Sequence, residues 1–185
     1  MADRDVLLKH IVHTAASMLT ADPPRKHASG VYVQPVPYDP LNDRCAIDYT
    51  EAEARGYFKL DLLNVHLYNS VRDDAHLQQL MSEPDWSMLR DQQFVSNLVH
   101  LNNHYDSLSK MPEPVNSIPR LAMFLAVIRP AKRHLIGRPW SEVAKTIWER
   151  EDGVYTFKKS HAVAYAHLVV INMNLLTRGE LQPAN

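Results

Sequence analysis

The side chains here that could do chemistry are ten histidines, twenty lysines and arginines, and one cysteine. Two histidine pairs have ligand-like spacing: His10 with His13, and His100 with His104, the latter one helical turn apart. A third ligand is not indicated for either pair. The run His100-Leu-Asn-Asn-His104 lacks the glutamate that serves as base in a helical metalloprotease, and no Glu-x-x-His repeat supports a di-iron bundle. The pairs therefore read as helix-surface or hydrogen-bonded core histidines. No metal, no cofactor and no catalytic residue is assigned, although a small helical enzyme with a histidine-lined metal site stays as the third alternative.

Other catalytic frameworks are missing from the sequence. The five glycines fall at 30, 56, 137, 153 and 179, so neither a P-loop nor a G-x-G-x-x-G turn can be built. There is no G-x-S-x-G elbow for a serine nucleophile. Cys45 stands alone, which excludes an intrachain disulfide, a four-cysteine zinc site and a Cys-x-x-Cys redox pair, and fits a reducing compartment. Lys9, His10 and His13 interrupt the first apolar stretch, so no secretion signal is expected. The expected setting is the cytoplasm or the interior of a virion.

Charge distribution is the more usable signal. The net charge is −1, but residues 1–119 hold 10 Lys/Arg against 16 Asp/Glu, a net of −6, and residues 120–185 hold 10 against 5, a net of +5. Arg120, Arg129, Lys132, Arg133 and Arg138 lie close together in the chain, and Lys158 and Lys159 follow beside Tyr155 and Phe157. Clustered cations can bind phosphates and a nearby aromatic ring can stack on an unpaired base, so these seven form a candidate track for single-stranded nucleic acid. The plainer reading of such a run is a solvated face.

Which elements must hold those residues follows from periodicity and from the breakers. Val6, Leu7, Ile11, Val12, Ala15, Met18 and Leu19 recur at helical spacing, predicting a helix over residues 4–20 that stops at Pro23 and Pro24. With Pro35, Pro37 and Pro40 following, residues 22–49 read as an extended arm, in which Val31–Val33 and Cys45–Tyr49 could form a short β-hairpin. Val31, Tyr32, Val33 and Val36 would be its inter-subunit contacts. Thr50 and Glu53 have capping-box spacing for a helix that continues, in one or two pieces, to Met81. Asp85 would cap the next helix, with the stripe Phe94, Leu98, Leu101, Tyr105 and Leu108.

Ser117 is a candidate cap for a buried helix through the apolar run Leu121–Ile128, with Pro119 in its first turn. Ser141 would start a helix to about Arg150, followed by a turn at Asp152-Gly153. Residues 160–178 would form a last, nearly apolar helix capped by Gly179, too short and too interrupted by polar residues to span a bilayer.

Together these signals predict a mainly all-α chain: a single globular domain over 1–185, of about six to eight helices, with a proline-rich arm at 22–49 and a basic portion at 120–185. That design is the general one of nucleoproteins and coat proteins that polymerise on RNA or DNA. The leading expectation is a non-enzymatic homo-oligomer, with subunits associating head to tail, that binds single-stranded RNA or DNA and no membrane. A helical adaptor or small subunit, using the same basic face on an acidic protein, is the alternative.

Overall fold

A computed structural model of the chain describes residues 4–63, 65–149 and 156–181. Of these, 47% are helical and 12% lie in strands, in two small sheets. The fold is therefore mixed α and β with helices dominant, which corrects the all-α expectation. By its contacts the chain divides into two compact units, 1–69 and 70–185.

The first unit is where the β structure lies. After α1 (Arg4–Leu8), the chain leaves the helix and forms β1 (Thr14–Met18), which pairs antiparallel with β2 (Arg25–Tyr32); β2 pairs in turn with β5 (Leu60–Asp61). A register shift between Ala15 and Ser17 turns both Ala16 and Ser17 into the protein, and both are fully buried. Residues 14–18 carry a spacing that suits a helix, but pairing with β2 overrides it. The expected hairpin of Val31–Val33 with Cys45–Tyr49 does not form: β3 (Tyr38–Asp39) pairs with β4 (Arg44–Cys45) instead.

Asp48 fastens this unit. Its carboxylate accepts from Leu19 N at 2.7 Å, Thr50 N at 3.0 Å and Thr50 Oγ1 at 2.7 Å, so it caps α2 (Tyr49–Ala54) and also holds the end of β1. Burial pushes its pKa up, but these hydrogen bonds outweigh that and hold it below the usual carboxylate range. Asp48, two residues earlier than the expected Thr50, is thus the cap. Tyr32, Cys45, Ala16 and Ala52 form the small core, with Val36, Ile47, Tyr49 and Tyr57 against it. Burial pushes the Tyr32 hydroxyl up to about 12.

The second unit is helical: α3 (Asp74–Leu80), α4 (Gln92–Ser96), α5 (Tyr105–Ser109), α6 (Ile118–Val127), α7 (Trp140–Thr146) and α8 (Lys159–Thr177), with 3-10 turns at 86–90 and 130–135. Ser117 accepts from Arg120 N to cap α6, with Pro119 in the first turn as the spacing predicts. Leu121, Phe124 and Leu125 of α6 and Ala166, Val169, Val170 and Met173 of α8 form the centre of the core. The two buried asparagines of α8 organise loops. Asn174 Nδ2 donates to Leu80 O at 2.8 Å and to Ser82 O at 3.0 Å, and Asn172 Oδ1 accepts from Val99 N at 2.8 Å.

That last bond explains a second correction. The long helix expected over residues 85–108 is broken into a 3-10 turn, α4, an irregular stretch at 97–104 and α5. Val99 N is taken by α8, and His100 adopts a left-handed backbone, φ 63°, which costs about 1 kcal/mol in a residue other than glycine. Leu98 and Leu101 are still fully buried, so the apolar stripe is used without the helix. The turn expected at Asp152-Gly153 lies outside the described residues. Among the described residues no helix is long and apolar enough to cross a membrane.

Candidate functional site

The seven cations singled out by the sequence do not share one environment. Arg120 is held internally: Nη2 donates to Glu113 at 2.6 Å, Nη1 to Pro114 O at 3.1 Å, and its guanidinium lies 6.0 Å from the Trp140 ring centroid. Lys132 is only 4% exposed and donates to Thr146 O at 3.2 Å, tying the 130–135 turn to the end of α7. Arg138 is exposed beside Glu142, at 3.9 Å. These three serve the fold or face an acid, which weakens them as phosphate ligands.

Arg129 and Arg133 are different. The Arg129 guanidinium lies 4.6 Å from the centroid of Phe157, within cation–π range. Phe157 is stacked on Tyr165, 5.8 Å away with planes 7° apart, and His161 meets its edge at 6.3 Å. His100 lies against the other aromatic of the pair, 4.3 Å from Tyr165. Arg133 donates through Nε to Ile128 O at 3.2 Å, which fixes the root of an exposed guanidinium. Among the described residues no carboxylate lies within ion-pair distance of Arg129 or Arg133, and the buried Arg129 Nε has no hydrogen-bond partner. Lys158 and Lys159 are exposed at the start of α8, next to Phe157.

The two histidines of the supposed helical pair belong to the same cluster. Burial, then the charge of Arg129, holds His100 below the usual histidine range; burial, then Arg129 and Arg133, does so for His104. His100 lies in a turn and His104 at the residue before α5, so they do not share one helical face. His10 and His13 lie beyond the end of α1, with His13 Nδ1 2.8 Å from Ile11 O. Among the described residues no group of three His, Cys, Asp or Glu is arranged to hold a metal ion. What the structure assembles is an aromatic stack, buried at Phe157 (8% exposed), with Arg129, His100 and His161 against its rings.

Comparison gives this geometry no precedent. No protein-family model, curated protein or solved structure matches the chain. The site must therefore be read from its own chemistry. Tyr165, His100 and His104 were missed as members of it, whereas His161 stands with Lys158 and Lys159 in the sequence; residues 157, 161 and 165 repeat at a spacing of four, with Phe157 two residues before α8 begins. Tyr155, named with Phe157 in the sequence, lies outside the described residues.

The arm residues are placed by the first unit. Val31 and Tyr32 are buried in β2, at 1% and 0% exposure, and Val36 packs against the small core. Val33 is half exposed, at 51%. The first unit also holds a polar cluster that the sequence did not announce. Ser29 Oγ donates to Asp61 at 2.9 Å, Lys59 Nζ donates to both Asp61 oxygens at 2.6 and 2.7 Å, and His27 Nδ1 accepts from Gly30 N at 3.0 Å. Burial and then the Lys59 charge keep His27 below its usual range. The serine, lysine and aspartate bond to one another, so the cluster locks β2 onto β5.

Proposed function

We propose that this chain is a non-enzymatic assembly protein that binds single-stranded RNA or DNA, as the subunits of nucleoproteins and coats do. Its interface is the face of the second unit bearing Arg129, Arg133, Lys158 and Lys159 around the Phe157–Tyr165 stack. The observation that carries the reading is the state of Arg129: half-buried, stacked on Phe157, with no acid beside it and its Nε unpartnered among the described residues. A buried guanidinium donor without a partner is costly, by about 1–3 kcal/mol. A phosphate oxygen on the exposed part of the guanidinium would offset part of that cost.

Self-association belongs to the same proposal, with subunits meeting head to tail. Since Val31 and Tyr32 are committed to the core, the contact falls to exposed apolar side chains of the first unit: Val33, Tyr38 and Leu41, at 51%, 51% and 93% exposure. Work in the cytoplasm or in a virion interior fits a single cysteine that is free and buried.

The test is binding of a labelled oligouridylate of about 20 nucleotides, followed by fluorescence anisotropy at about 50 mM salt, where phosphate contacts are strongest. Saturable binding that weakens as salt is raised supports the reading. Absence of binding at low salt refutes it.

A further inference from the structure

The geometry points to a carboxylate-binding cradle in the first unit, separate from the nucleic-acid face, in which His27 Nε2–H and the Lys59 ammonium both donate to one bound carboxylate group.

The hydrogen bonds of His27 assign its tautomer. Its Nδ1 accepts from two backbone donors, Gly30 N at 3.0 Å and Ser29 N at 3.3 Å. A ring nitrogen that receives an N–H carries no proton of its own, so the neutral imidazole holds its proton on Nε2. That nitrogen lies 3.5 Å from Lys59 Nζ. The lysine is held as a cation by Asp61, whose two oxygens it bonds at 2.6 and 2.7 Å, and Ser29 Oγ fixes Asp61 in turn at 2.9 Å. Two groups that can only donate thus face each other, and among the described residues no acceptor stands within hydrogen-bond distance of His27 Nε2. They are close enough for a single oxygen, or the two oxygens of one carboxylate, to accept from both.

The cradle is built and open. A Cβ on Gly30 would come 2.7 Å from Lys59 Cδ and 3.1 Å from His27 Nδ1, so a residue without a side chain is what lets the imidazole and the lysine close over this point of β2. The ring of Tyr49 bounds one side, edge-on to the imidazole at 5.2 Å and 5.6 Å from Lys59 Nζ. His27, Lys59 and Asp61 keep 20%, 17% and 24% of their side-chain surface exposed, which leaves the two donors reachable from solvent. Charge selects the ligand. Lys59 and Asp61 cancel, and the imidazole is neutral near pH 7, since burial and then the lysine charge hold its pKa below the usual range. The cost of taking an ion out of water rises with the square of its charge, whereas its attraction to the donors rises only in proportion, so a half-buried site of zero net charge favours a monoanion such as a carboxylate over a doubly charged phosphate.

The experiment uses the full chain at a pH of about 7.5, with acetate and inorganic phosphate as probes and chloride holding the ionic strength constant. Long-range proton–nitrogen NMR first reads the His27 ring without ligand. A proton on Nε2 is expected; a proton on Nδ1 overturns the proposal, because Lys59 would then have Nε2 as its acceptor. Acetate should shift the His27 Nε2 resonance saturably, with an affinity in the millimolar range, and leave that of exposed His134 in place. The variant Lys59→Met/Asp61→Asn removes one donor and keeps the net charge and an acceptor for Ser29; it should weaken acetate binding by about tenfold or more. No response of His27 to acetate beyond the chloride control overturns the proposal, as does an acetate affinity unchanged in the variant. Phosphate that binds more tightly than acetate overturns the assignment to carboxylates. The tautomer and the titration are read on the unaltered chain, so both decide the matter even where the variant does not fold, and neither depends on oligouridylate binding.

Discussion

Replacing Arg129 and Arg133 together by glutamine should flatten the salt dependence of nucleic-acid binding by a calculable amount. The proposed interface uses four of the seven sequence-assigned cations, Arg129, Arg133, Lys158 and Lys159; of the other three, Arg120 is paired with Glu113, Lys132 is buried and Arg138 lies beside Glu142. Four contacts on a single strand give a slope of about −2.8 in log affinity against log salt, or roughly a 50-fold loss of affinity between about 50 and 200 mM salt. Removing two contacts halves the slope to about −1.4. Anisotropy titrations at four or more salt concentrations measure this, at a pH near 7.5 where the histidines contribute least. Lys132→Met supplies the contrast: it disturbs a buried hydrogen bond to Thr146 O, so it should lower the Tm and leave the slope unchanged. A slope that stays near −2.8 in the double arginine variant, or one that flattens equally with Lys132→Met, refutes the assignment of this face.

Three further outcomes are expected. Asn174→Ala removes both hydrogen bonds that hold the carbonyls of Leu80 and Ser82, and should cost about 2–4 kcal/mol in the second unit; urea unfolding measures it, and a loss under about 0.5 kcal/mol would contradict the role given to Asn174. Gly30→Ala would place a Cβ 2.7 Å from Lys59 Cδ, 3.1 Å from His27 Nδ1 and 3.2 Å from Ala16 Cβ, so it should destabilise the first unit by about 1–3 kcal/mol, seen as a lower melting temperature. Stability without ligand should fall on acidification. His27, His100 and His104 have folded pKa values below the unfolded value of about 6.5, so the unfolded chain binds more protons as pH drops through that point; their contribution is complete above it and is lost on approach to the folded values. Urea midpoints at pH near 7.5 and near 5.5 check the sign, and an equal or higher midpoint at the lower pH would contradict it.

What the sequence determined by itself was whatever local chemistry could decide. Ser117, Pro119 and the apolar run after them specify α6. The apolar stretch from Ala162 to Leu176 followed by Gly179 specifies α8, whose C-terminal glycine has φ +70°. Caps, breakers and a continuous apolar run act within a few residues, so they can be read without knowing what lies opposite. The concentration of cations after residue 119 was equally legible, and so were Arg129 and Arg133 as candidates.

Tertiary structure decided the remainder. Residues 14–18 have apolar spacing that a helix could use, but β2 and Asp48 supply partners for their backbone and make them a strand. The 97–104 stretch has a helical stripe, yet one side-chain oxygen, Asn172 Oδ1, takes Val99 N from 73 residues away and the helix does not continue. The same long-range contacts sorted the cations. Glu113 claims Arg120 and Thr146 claims Lys132, while the Phe157–Tyr165 stack receives Arg129 and His100. A sequence lists its charges; only packing determines which of them are tied to an acid, a carbonyl or a ring.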